Sequence, residues 1–84
     1  LYAQTGQGMK AMQEAAKENK HLFIFFYKDQ NERTQRVQKI FDQTKQRLGE
    51  QARFIKIQVN DPAEKQIVEQ FELKRSPMPF TLVL

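Results

Sequence analysis

The pattern of apolar and polar positions divides the chain into six segments. Leu22 to Tyr27 is apolar at every position, whereas a half-exposed strand would alternate. An unbroken short run rich in Phe and Ile predicts a strand covered on both faces, as in the middle of an α/β layer. Before it, "TGQGMKAMQEAAKENK" predicts a helix: Met9, Met12 and Ala16 fall at helical spacing, with Ala11 and Ala15 beside them. Thr5 or Gly8 is expected to start that helix, and Asn19 to stop it in the left-handed conformation. After it, in "NERTQRVQKIFDQTKQRLG", Val37, Ile40, Phe41, Thr44 and Leu48 form one helical stripe. Asn31 is expected to cap this second helix and Gly49 to end it.

The second half repeats the alternation. In "RFIKIQV", Ile55, Ile57 and Val59 share a face that Lys56 and Gln58 interrupt on the other side, which predicts a strand nearer the sheet edge. "NDPAEKQIVEQFEL" opens a helix with Asp61 as cap, Pro62 at its first position and Glu64 in its first turn. Ile67, Val68 and Phe71 are its expected buried stripe. "SPMPFTLVL" brings two prolines and a last apolar strand, Phe80 to Leu84. The order α-β-α-β-α-β makes this an α/β chain with a parallel strand pair across the helical crossover.

Composition narrows the chemistry. Eighty-four residues make one small domain, expected over residues 1–84. There is no cysteine and a single histidine, His21. Disulfides, thiolate zinc sites, iron–sulfur clusters and intrachain His-based metal clusters are therefore excluded, and neither metal nor cofactor is expected. The net charge is +4. The excess lies between Lys28 and Lys56, where Lys28, Arg33, Arg36, Lys39, Lys45, Arg47, Arg53 and Lys56 outnumber Asp29, Glu32, Asp42 and Glu50. A solvated helix face explains such a run without a nucleic-acid partner. The run Leu22 to Tyr27 is too short to cross a bilayer, so membrane insertion is not expected. The chain opens on Leu1 and closes on Leu84 in mid-pattern, so it is expected to be part of a longer protein.

Candidate sites are few. Gly6, Gly8 and Ala11 fit a loose G-x-G-x-x-A dinucleotide fingerprint, with Asp29 placed as a ribose-binding acid. The fingerprint must follow a strand, and only Leu1-Tyr2-Ala3 precede it. A helix start explains the glycines more simply. Ser76, the only serine, has no second histidine to complete a triad with His21, which is expected at a strand edge meeting solvent. Glu14 with Glu18, and Glu69 with Glu72, sit at surface helical spacing, where nearby lysines are the expected partners.

The whole arrangement resembles the thioredoxin-like superfamily. The likeness lies in "FIFFY" running into a turn and a long helix, "IKIQVND", and a helix closing in "QFELKRSP". The resemblance implies that Asn31 and Thr34 stand at the two cysteine positions of the family. Leu73-Lys74-Arg75-Ser76-Pro77 is similar to the family's step into its cis-proline, which implies a cis bond at Pro77, with Pro79 as its rival. Both redox positions lack sulfur, so disulfide exchange is out of reach, because only a thiolate attacks a disulfide. The resemblance further implies a peptide groove near Asn31, Arg33, Thr34, Arg36, Ser76 and Pro77, where an extended peptide or an anionic group would bind. It also implies that the last strand runs antiparallel and that a further strand and helix follow Leu84, whose absence would leave Phe80 to Leu84 as a bare edge open to self-association. The expected function is a redox-inactive binding or scaffolding module with a protein or peptide partner. The alternatives are part of an enzyme whose catalytic residues lie elsewhere, and a basic binder of nucleic acid or anionic surfaces.

Overall fold

The computed structural model describes residues 6–84. The helix α1 (Gln7–Glu18) leads into strand β1 (His21–Tyr27), then α2 (Glu32–Leu48), β2 (Ala52–Gln58), the short α3 (Lys65–Gln70) and β3 (Phe80–Val83). Single 3₁₀ turns at Gly49–Gln51, Pro62–Glu64 and Leu73–Arg75 join them. Among the described residues no helix is long and apolar enough to cross a membrane.

The fold is α/β around a three-stranded mixed sheet of order β2-β1-β3. β1 pairs parallel with β2, Ile24 opposite Ile55, and antiparallel with β3, Ile24 opposite Leu82. The all-apolar strand is thus central, and the strand interrupted by Lys56 and Gln58 lies at an edge. β3 forms the other edge, with Val83 52% and Leu84 40% exposed.

Because side chains alternate along a strand, β1 feeds two separate clusters. Leu22, Ile24 and Phe26 join Ile57, Ile67, Val68 and Leu73 under α1 and α3. Phe23, Phe25 and Tyr27 point the other way, toward α2. There Phe41 meets Phe25 and Phe54 at ring-centroid distances of 5.5 Å each, and Phe23 stacks on Phe54 at 4.8 Å. Offset and edge-on pairs of this kind add about 0.5–1.5 kcal/mol beyond area burial.

Local signals place most boundaries. Asn31 Oδ1 accepts the Thr34 amide at 2.8 Å, Asn19 ends α1 at φ 57° and Gly49 ends α2 at φ 56°. Five expectations are corrected. Asp61 caps the 3₁₀ turn Pro62–Glu64, and α3 starts only at Lys65 with Glu64 as its N-cap. Thr5 lies outside the described residues, and Gly8 is inside α1, whose N-cap is Gly6. Ala16 is exposed, because the buried stripe of α1 runs through Gly8, Ala11 and Ala15. Ile40, placed in the α2 stripe by spacing, is 63% exposed, and of that stripe only Phe41 is buried. The cis peptide bond is Met78–Pro79, not Ser76–Pro77. The Leu73–Arg75 turn holds the chain through Ser76, whose amide donates to Leu73 O at 3.1 Å. Ser76 then leaves in extended geometry, and the bend into β3 falls later, next to Phe80.

Candidate functional site

Two helix starts attract attention as sites of ligand chemistry, and the structure treats them differently. At α1 the chain supplies its own anion. Glu64, expected to serve only its own first turn, is 5% exposed. Its Oε2 accepts the Gln7 amide and its Oε1 the Gly8 amide, both at 2.9 Å. A carboxylate on first-turn amides is favoured by both hydrogen bonding and the helix dipole. Gly6 and Gly8 permit the approach. A Cβ on Gly6 would run into the Ala63 carbonyl and the Glu64 carboxylate, and one on Gly8 would lie 2.7 Å from the Cδ1 atoms of Ile57 and Ile67. The glycine spacing that resembled a dinucleotide fingerprint therefore has a packing cause, and the phosphate position of such a motif is filled from within. The preceding Leu1-Tyr2-Ala3 lie outside the described residues.

The start of α2 opens instead onto a groove of about 300 Å³. Lys28 and Asp29 reach it from the end of β1, and Asn31 and Thr34 from the start of α2. Val59 comes from the end of β2, and Leu73, Lys74, Ser76 and Met78 from the loop before β3. The position follows from topology. β1 connects through α2 on one face of the sheet, and β2 continues through α3 on the other. The crevice at the carboxyl ends of the parallel strands stays open between these connections. Thr34 is 2% exposed, with its amide held by Asn31, so this wall of the groove is rigidly seated.

Of the residues expected at the site, Asn31, Thr34 and Ser76 line this groove together. Arg33 and Arg36 are exposed on α2, and Pro77 is exposed in the loop; none of the three lines it. Sequence reasoning missed Lys28, Asp29, Val59, Leu73, Lys74 and Met78. The first three had a readable signal, since each directly follows the run of a parallel strand. The others depend on how the loop folds back.

Other candidates separate in space. His21 opens β1, at the opposite end of the strand from the groove that contains Ser76, so the two cannot form a nucleophilic pair. Its Nδ1 lies 3.0 Å from Leu84 O. Among the described residues Glu14 and Glu18 find no lysine partner on α1, contrary to expectation: Arg53 of β2 pairs with them at 3.4 and 3.3 Å, and Lys20, past the helix end, meets Glu18 at 3.7 Å. Glu69 does meet Lys65 one turn away, at 4.0 Å. A larger cavity of about 440 Å³ lies between α1 and β2, but its guanidinium, Arg53, is held in those ion pairs. Among the described residues no three His, Asp or Glu side chains gather in a way that would hold a metal ion.

The groove thus combines charged and polar side chains with the apolar Val59, Leu73 and Met78. No family model matches the chain, and comparison with curated proteins finds no match either.

Proposed function

We propose that the chain is a thioredoxin-like, redox-inactive binding or scaffolding module that holds a short extended peptide or an anionic group between the Asn31 turn and the Pro77 loop. The observation that carries this reading is the groove at the carboxyl ends of β1 and β2, where Asn31, Thr34 and Ser76 come together. Its volume is at the small end of ligand sites, about 300–1,000 Å³, which suits a peptide segment more than a large cofactor. With no cysteine in the chain, binding is the part of the family's behaviour that its residues can still support.

The basic-surface reading draws on fewer free charges than its sequence suggests. Arg53 pairs with Glu14 and Glu18, and Lys56 with Asp42 at 2.9 Å. The experiment is a titration of the isotope-labelled chain with short extended peptides, followed by amide chemical shifts. Perturbations centred on Asn31, Thr34, Ser76 and Met78 are expected. Perturbations confined to the exposed face of α2, or none at any residue, would remove the reading.

A further inference from the structure

We infer that the groove selects peptides bearing an acidic side chain next to an apolar one, with Lys28 and Lys74 as the residues that read the acid. This rests on the binding reading above and adds a ligand class to it. Lys28 follows β1 and Lys74 belongs to the turn Leu73–Arg75, so segments far apart in sequence bring two lysines to the lining of one cavity. Neither lysine takes part in an ion pair among the described residues, which is the state of most of the chain's cations, so what sets these two apart is that they line one groove. Among the described residues Asp29 is the only carboxylate lining the groove, which leaves its lining with surplus positive charge. The N-terminal end of α2 is not the basis of the inference, since Asn31 already takes the Thr34 amide.

The lining sets the rest of the ligand. Val59, Leu73 and Met78 give the groove apolar walls. A free phosphate or a sugar–phosphate backbone would satisfy the lysines and leave those walls without a partner. A carboxylate carried on a peptide, with an aliphatic neighbour, satisfies both. Charge complementarity of this kind sets specificity more than raw affinity, so the signature is discrimination between acid and amide.

The test uses the full chain and three ligands. The first is an acetylated, amidated pentapeptide with a central glutamate flanked by leucine and valine. The second is its glutamine counterpart, and the third is inorganic phosphate. The glutamate peptide is expected to bind roughly tenfold more tightly than the glutamine peptide, the scale of one charged hydrogen bond. That advantage should disappear in the Lys28→Gln, Lys74→Gln double variant. Both lysines are exposed, so the variant should keep the wild-type melting temperature. Equal binding of the two peptides, with shifts still in the groove, overturns this inference and leaves the binding reading standing. No shift in the groove from either peptide overturns both. An acid advantage that survives in the double variant removes the lysines from the assignment. Phosphate acting on the same residues as strongly as the glutamate peptide overturns the peptide class in favour of a free anion.

Discussion

The two faces of the sheet are built from the same three strands and end up differently closed. On one face α1, α3 and the Pro62–Glu64 turn cover an aliphatic cluster, and Leu22, Ile24, Phe26, Ile57 and Ile67 are sealed. On the other, among the described residues, α2 alone covers an aromatic row, packing on β1 and β2. Phe25 and Phe41 are buried there while Phe23, Tyr27 and Phe54 remain partly open. Width explains the contrast. A helix with its side chains is about 10–12 Å across, and three strands spaced about 4.8 Å apart present a wider surface. One helix shields the centre of the sheet and leaves its margins, while Ile40 is exposed because it lies about 100° around α2 from the buried Phe41.

The largest expected effect tests whether the aromatic face is nonetheless a true core at its centre. Phe25→Ala should cost about 3–5 kcal/mol in denaturant unfolding, the range for truncating a fully buried Phe. A loss below about 1 kcal/mol would place β1 at a surface and dissolve the two-faced description.

The aliphatic face has a buried polar fastening at Glu64, whereas the ion pair of the aromatic face, Lys56 with Asp42, is solvent-exposed. Glu64→Gln puts an amide nitrogen against a backbone donor and removes the charge that faces the start of α1. It should destabilise by about 1–3 kcal/mol. Gly6→Ala should cost a similar amount, about 1–3 kcal/mol, because the added methyl meets the Ala63 backbone and the same carboxylate. Additivity of the two in the double variant would break the idea of a shared fastening, since residues in one network couple.

Smaller effects sharpen the α2 side. Asn31→Ala removes a single cap bond and should lower stability by about 1 kcal/mol, with faster amide exchange at Thr34 as the local readout. Ile40→Ala should change stability by less than about 0.5 kcal/mol, as expected for an exposed position. A cost above about 1 kcal/mol would mean that Ile40 packs against a neighbour and that the sheet-facing line of α2 is wider than Phe41 alone marks.

Local rules were legible wherever a side chain acts on its own segment. Asn31, Asn19 and Gly49 do at helix ends what their chemistry suggests, and the unbroken apolar run from Leu22 to Tyr27 is the central strand. Asn31, Thr34 and Ser76, brought together at the sequence level only by the likeness to the thioredoxin-like superfamily, do line one groove. Leu73, Lys74 and Met78 were not legible as part of it, because their places depend on a 3₁₀ turn and a loop with no periodic pattern. Arg33 and Arg36 neighbour the cap in sequence, but helical rotation carries them away from the groove.

By itself, then, the sequence determined the order of elements, the α/β class, the central and edge characters of the strands, and the absence of thiol chemistry. These follow from side-chain periodicity, backbone preference and residue type, all properties of short segments or of composition. Tertiary structure alone decided that Glu64 serves a helix 56 residues away in sequence. It also decided that Arg53 answers the Glu14 and Glu18 pair, and that Lys28 and Lys74 line one groove. Such pairings join residues whose separation carries no pattern, and they exist only once packing of the sheet and helices has brought distant segments within the few ångströms over which hydrogen bonds and ion pairs act.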